Sequence, residues 1–257
     1  MRFDVITLFP ELFEPFLRVG INRKAFESGL IQVGLHNPRD FATGNYRRVD
    51  DRPFGGGPGM VMLAQPLADC LSHIRAEHAR LGLPKLPVVL FSPLGRTLDH
   101  PQVQSWAASS GAVLICGRYE GIDQRFIDAH VDQQISLGDF VLSGGEVAAM
   151  ALLDAVARLQ PGVLNDPGSH EQDSFNASLD GLLDCPHYTR PEVWQDQAVP
   201  EVLLSGHHEH IERWRRQQRL SQTAAWRPDL IEAARQQGAL SPADEQWLAQ
   251  ACYNDRL

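Results

Sequence analysis

Up to about residue 164 the chain alternates short apolar runs with longer stretches of helical spacing. Residues 3–9, 31–35, 88–91 and 113–116 are short and rich in β-branched or apolar side chains, which predicts strands. Between them, 66–81, 101–108 and the stretch around 122–129 repeat apolar positions at the helical period. That alternation predicts an α/β fold on a largely parallel sheet. Strong helix formers then run from 146 to 159 until Pro161-Gly162 stops them. Apolar side chains lie on most faces of that helix, so it is expected to be buried in its domain or in a subunit interface.

Polar, turn-rich residues follow in Asn165-Asp166-Pro167-Gly168-Ser169-His170-Glu171-Gln172, the expected linker. From residue 205 onward the pattern is helical, near 210–220, 229–237 and 243–252, and Ser241-Pro242 reads as a cap and first turn. The expected organisation is an α/β domain over 1–162, a flexible linker over 163–180 and a small all-α domain over 181–257. No repeat or low-complexity tract interrupts it.

Composition narrows the class. The 257 residues are 43% hydrophobic and 21% charged, enough to bury a core. Against 32 Asp and Glu stand 23 Lys and Arg, a net charge of -9 that argues against indiscriminate coating of nucleic acid. Cys70, Cys116, Cys185 and Cys252 lie far apart with no Cys-x-x-Cys pair, and read as reduced, buried thiols of a cytoplasmic protein. The amino terminus is broken too early by Pro10 for a signal peptide, and the longest apolar run, 147–153, falls far short of the ~20 residues of a membrane span. A soluble intracellular protein is expected.

Residues 47–60 are the least ordinary stretch. Gly55-Gly56-Gly57-Pro58-Gly59 cannot form a stable helix or central strand, so its expected use is close approach of backbone to a ligand, with neighbouring arginines for phosphate or a base edge. Neither a P-loop nor Gly-x-Gly-x-x-Gly occurs there. Three more loops each follow a predicted strand: 92–96, 117–121 and 137–146. In an open α/β sheet such loops gather at the carboxyl ends of the strands, and three with glycine suggest a nucleoside-type pocket held by backbone. Singly, each is an ordinary strand-to-helix turn.

Arg213, Arg215, Arg216, Arg219 and Arg227 crowd with Trp214 and Trp226 into 213–227, which holds no acid. That concentration suggests an RNA- or DNA-facing patch, against the plainer reading of a solvated basic helix face. Arg158 and Asp173 stand out less: a cation suits a helix end, and a lone carboxylate is usually a solvated loop residue or a cap. His207, His208 and His210 lack a further ligand cluster, so no metal site is expected.

Taken together these stretches resemble the bacterial tRNA (guanine-N1)-methyltransferases, the TrmD family of the SPOUT class. The most specific pieces are 50–60, Cys116-Gly117-Arg118-Tyr119-Glu120-Gly121-Ile122-Asp123, 138–146, Leu183-Asp184-Cys185-Pro186-His187-Tyr188-Thr189-Arg190-Pro191 and Leu203-Leu204-Ser205-Gly206. The resemblance implies a SPOUT-type parallel sheet with a trefoil knot, a helical carboxy-terminal domain, and a homodimer with two sites at its interface. It implies S-adenosyl-L-methionine as methyl donor, held by Ser92, Pro93, Gly95, Gly117, Tyr119, Glu120, Gly121, Leu137, Gly138, Leu142, Gly144 and Gly145. It implies Asp173 as catalytic base with Arg158 as its partner, Gly59 in guanine recognition, and tRNA with guanosine at position 37 as substrate, gripped in part by Arg213, Arg215 and Arg216. A dependence on Mg²⁺ belongs to the same picture, although no ligand cluster supplies a protein site for it.

The chemistry makes these roles intelligible. Guanine N1 carries a proton and is a poor nucleophile, so transfer needs a base at N1 as the methyl arrives in line. Charge then moves toward O6, where an arginine stabilises it. An aspartate of ordinary pKa, ~3.9, is a weak base, so burial or proton transfer concerted with attack is required. Burial is expected when residues 163–178 close over the nucleoside. Three features depart from the family: Leu94 in place of Gln, Phe140 in place of Tyr, and a longer stretch over 175–181. Two rivals stand beside this reading: a knotted methyltransferase acting on ribose or another base, and an RNA-binding protein without activity.

Overall fold

The computed structural model describes residues 1–164 and 170–254, with side chains through residue 250. The chain divides into two compact units, Met1–Asn165 and Asp166–Leu257.

Along the first unit run β1 (Arg2–Ile6), α1 (Phe13–Arg18), α2 (Arg23–Glu27), β2 (Gln32–His36), β3 (Asp50–Asp51), β4 (Val61–Met62), α3 (Ala64–Arg80), β5 (Val88–Thr97), α4 (His100–Ala107), β6 (Gly111–Ile115), α5 (Gln124–His130), β7 (Gln133–Ser136) and α6 (Glu146–Arg158). Five strands form one parallel sheet in the order β2-β1-β6-β5-β7. Both faces are covered, which is why the strands read as nearly unbroken apolar runs. Phe3, Val5, Val89, Ala112 and Leu114 point to one face, onto a core that includes Ala149, Leu152, Leu153 and Val156 of α6. Ile6, Val88, Leu90, Val113 and Ile115 point to the other, with Leu67, Leu71 and Ile74 of α3 and Phe126 of α5. The period of two along each strand thus divides one sheet between two cores.

Local chemistry fixes the helix starts. Asp99 accepts the amide of Gln102 at 2.9 Å and Asp123 that of Arg125 at 3.0 Å, caps worth about 1 kcal/mol each. The edge strand β7 escaped the sequence pattern because Gln133-Gln134 hides its apolar alternation. On β1, Asp4 is fully buried beside β2, where it meets Arg2 at 2.8 Å, His36 at 2.8 Å and His78 of α3 at 2.6 Å. Gly34 on β2 leaves room for that carboxylate. Predicted helix 146–159 matches α6 and buries one face, while Val147 on the other is 53% exposed.

The second unit holds β8 (Val193–Trp194), β9 (Gln197–Ala198), α7 (Glu201–Leu204), α8 (His208–Trp226), α9 (Pro228–Gln236) and α10 (Pro242–Asn254). Leu182, Leu220, Ile231, Ala234 and Leu248 make its core. Ser241 accepts the amide of Asp244 at 3.2 Å and Asp244 returns the contact at 2.9 Å, a reciprocal cap that bears out the start expected at Ser241-Pro242. The expectation of an all-α unit needs correction: β8 and β9 form an antiparallel hairpin. Its two turn residues, Gln195 and Asp196, both have positive φ, a turn usually signalled by Asn-Gly, so Gln-Asp gave little warning. Of the expected linker, residues 165–169 lie outside the described residues. Residues 177–179 form a short 3-10 turn capped by Asn176.

Candidate functional site

The strand order places the carboxyl ends of β6, β5 and β7 side by side, so the segments after them converge. Strand β5 leaves β7 after Phe91 and rejoins it at Arg96, both residues pairing with Ile135. Residues 92–95 therefore stand out from the sheet as a tongue, with the Ser92 hydroxyl accepting the amide of Leu94 at 3.1 Å. After β6, Gly117 to Gly121 turn sharply, with Tyr119 at φ 61° and Gly121 at φ 149°. After β7, Ser136 bonds the amide of Gly138 at 3.1 Å, and the chain crosses to α6. The last two loops touch where Gly145 donates its amide to the carbonyl of Gly117 at 3.0 Å.

Between these loops lies a cleft of about 300 Å³. Ser92 and Pro93 line one wall, Gly117, Tyr119, Glu120 and Gly121 a second, and Leu137, Gly138, Leu142, Gly144 and Gly145 a third. Gly95 is the exception among the twelve positions implied by resemblance: it is not part of the wall. A Cβ there would overlap the backbone of Gln134 and Ile135, so Gly95 lets the tongue rejoin the sheet. Gly145 has the same kind of role, since a Cβ would sit 2.8 Å from Cys116 Cα. The floor is apolar, from Leu90, Phe91, Ile122, Ile127, Ile135 and Ala148, and the charged side chains on the lining are Arg118 and Glu120. Leu94 is 84% exposed and Phe140 lies on the rim, its ring near Gly138.

The glycine-rich segment 52–60 bridges the small β3–β4 ladder. It is stitched to the second wall: Glu120 donates its amide to the carbonyl of Met60 at 2.9 Å, and Met62 donates to Gly121 at 2.9 Å. Gly59, at φ 77°, lies against the Glu120 side chain, which a Cβ would overlap. The guanine-recognition candidate and the cleft thus share one wall. Phe54 in the same segment is fully exposed, and most of the residues around it are exposed as well.

Arg158 ends α6 in the first unit and is half-buried. Asp173 belongs to the second unit, half-buried, with its carbonyl accepting the amide of Asn176 at 3.2 Å. Among the described residues no cluster of His, Cys, Asp or Glu is arranged to hold a metal ion. Cys70, Cys116 and Cys185 are free and buried, and burial pushes the thiol of Cys70 up to about 12.

The arginines of the basic helix differ in their surroundings. Arg216 meets Asp180 at 2.7 Å and Asp244 at 3.1 Å through both ends of its guanidinium, so it braces the second unit. Arg219 is buried against Asp184 at 3.4 Å, and Arg215 meets Glu212 at 2.6 Å. Arg213 is exposed on α8. The segment 213–227 contains no acid, but Asp180, Asp184 and Asp244 reach it from elsewhere in the chain. The longer stretch over 175–181 supplies the first of these. Trp226 is 79% exposed, and Trp214 packs on Tyr188 with ring centres 6.2 Å apart.

Residues 1–233 match the family model described as tRNA (Guanine-1)-methyltransferase TrmD. A tRNA (guanine-N(1)-)-methyltransferase of Paracidovorax citrulli is 71% identical over 249 residues, covering 97% of this chain and 98% of the relative. One of Polaromonas is 68% identical over 254 residues, covering 99% and 98%. One of Bordetella parapertussis is 57% identical over 249 residues, covering 97% of each.

Proposed function

The chain belongs to the tRNA (guanine-1)-methyltransferase family, and on that premise we propose that it transfers a methyl group from S-adenosyl-L-methionine to N1 of guanosine 37 in tRNA. The observation that carries this reading is the shared wall: Glu120 and Gly121 line the cleft and are hydrogen-bonded to Met60 and Met62, which flank the glycine-rich segment. A donor in the cleft and a purine against Gly59 would then meet across one short stretch of backbone.

The cleft suits such a donor. Its volume is at the lower end of small-molecule sites, ~300–1,000 Å³, its floor is apolar for an adenine ring, and its walls include Gly117, Gly121, Gly138, Gly144 and Gly145, where backbone groups can bond ribose and amino-acid groups. When bound, the donor supplies an electrophilic methyl on a sulfonium. Asp173 takes the proton from guanine N1 as the N1–carbon bond forms and the sulfur–carbon bond breaks with its electrons left on sulfur. Arg158 stabilises the charge that develops on O6. Flipping the base out of the anticodon loop costs a few kcal/mol, offset by contacts in the pocket.

The same family reading brings the SPOUT class, a trefoil-knotted path through the crossing loops, a homodimer with its sites at the interface, and a cytoplasmic location. Exposed Leu94, Val141 and Val147 near the cleft support a partner surface there, and no helix among the described residues is long and apolar enough to cross a membrane. A Mg²⁺ requirement belongs to the same reading, met by an ion carried on the tRNA or bound transiently.

The test is incubation with labelled donor and an unmodified tRNA transcript bearing guanosine 37, followed by nucleoside analysis. Label in 1-methylguanosine at that position is the expected result. Label in a ribose methyl or another base overturns the regiochemistry, and donor binding that fails altogether favours an RNA-binding role.

A further inference from the structure

We propose that the Arg118–Glu146 ion pair, seated on Thr7, is the positioning device that sets the gap between the second and third walls of the cleft, and so controls how the methyl donor is held. The proposal rests on the reading of that cleft as the donor site.

Three separate segments meet at this pair. Glu146 opens α6 and is 1% exposed. One of its oxygens accepts the Thr7 hydroxyl at 2.8 Å and Arg118 Nε at 3.1 Å. The other lies 2.9 Å from the same Nε as an ion pair but accepts no aligned hydrogen bond. Arg118 also donates Nη1 to the carbonyl of Ser143 at 3.1 Å, and its guanidinium carbon lies 4.5 Å from the centre of the Phe9 ring. The pair thereby ties the segment after β1, the loop after β6 and the loop after β7. Gly144 makes the passage possible, because a Cβ there would come within 2.5 Å of both Arg118 and Glu146.

Stability alone is a poor account of this arrangement. Removing a carboxylate and a guanidinium from water is costly, and apolar residues of similar volume are often as stabilising. Ionic bonds instead bring directional, fixed distances, which a two-walled cleft needs. Glu146 also sits in the first turn of α6, where a negative charge is favoured. Arg118 adjoins Tyr119 and Glu120, and Ser143 adjoins Gly144, so a change in the pair moves both walls. A misplacement of ~1 Å at a reacting pair can cost about 10²-fold in rate.

The experiment uses the full chain and four variants: Glu146→Gln, Arg118→Lys, Thr7→Val and Thr7→Ser. Donor affinity by calorimetry, tRNA affinity, melting temperature and the single-turnover transfer rate at saturating donor and tRNA are measured for each. Glu146→Gln and Arg118→Lys are expected to weaken donor binding about tenfold and to slow the saturated step further, with tRNA affinity within about twofold of the parent, as geometry at a reacting pair demands. Thr7→Val should follow them, and Thr7→Ser, which keeps the hydroxyl, should restore parental behaviour. Donor affinity and saturated rate within twofold of the parent in the first two variants overturn the proposal. So does parallel loss of donor binding, tRNA binding and fold in both, which assigns the pair to general stability. A parent that binds no donor overturns the reading of the cleft, and the brace's role with it. A parent that binds donor while its variants match it overturns the brace alone.

Discussion

The cleft in the amino-terminal unit and the arginine helix in the carboxy-terminal one are both concentrations of unusual residues, yet the two use those residues differently. Glycines act through what they lack, and a missing Cβ stays missing whatever the rest of the chain does. Gly59, Gly144 and Gly145 each sit where a side chain would collide with a neighbour. Arginines act through charge, and charge can be answered from a distance. Asp180, Asp184 and Asp244 are 36, 35 and 28 residues from their partners on α8. A run of cations is therefore weaker evidence of a binding face than a run of glycines is of a close approach.

The sharpest way to break this comparison is to separate donor binding from chemistry. Asp173→Asn is expected to leave donor binding intact and to cut turnover by about a hundredfold or more, within the 10²–10⁴ range of acid–base catalysis. Near-parental turnover, measured with saturating tRNA, would remove Asp173 from the mechanism. Gly145→Ala tests the cleft directly. Its Cβ meets backbone rather than a mobile side chain, so donor affinity by calorimetry should drop roughly tenfold or more as the Gly117 contact is displaced. Unchanged affinity would show that the loop contact is dispensable.

Two arginines sharpen the contrast inside α8. Arg216→Ala strips two partly buried carboxylates of their partner and should lower the stability of the second unit by roughly 2–3 kcal/mol, read by urea unfolding. Arg213→Ala should leave unfolding unchanged and reduce the salt slope of tRNA binding by about one phosphate contact. If the two results are exchanged, the assignment of Arg216 to the framework is wrong.

The smallest effect is the acid response. Burial by itself would raise the carboxyl of Asp4, but hydrogen bonds from His36, Arg2 and His78 outweigh it and hold Asp4 well below the usual range. Asp244 is likewise lowered: burial opposes, and Arg216 and Ser241 prevail. A carboxyl lowered by folding contributes stability that is full above its unfolded value of ~4 and is lost as pH falls through the folded one. The share of stability due to these two carboxyls should therefore stay constant from pH 7 to about 5, and the urea midpoint of both units should fall below about pH 4. A midpoint still flat at pH 3 would contradict the ionic account of both.

Much of this was legible because it rests on local pattern. Four of the five strands of the central sheet show as apolar runs, the long helices by their period, and the loops of the cleft by glycine after a strand. Strand β7 was not, because two glutamines open it where an apolar alternation would mark a strand. The β8–β9 hairpin was not, because its turn adopts positive φ without the residues that usually mark it. At the site, Glu146 read only as a helix former. Its meaning depends on Thr7, 139 positions earlier, and nothing in the neighbourhood of either residue signals the pairing.

The departure and return of β5 at a single residue of its neighbour has a practical meaning. Because Phe91 and Arg96 both register on Ile135, residues 92–94 stand outside the ladder and form a cassette that can be recoded while Gly95 keeps the close return to Gln134 and Ile135. The shape of that wall of the cleft can thus be rewritten at Ser92 and Pro93, which line it, while the scaffold beneath stays in register.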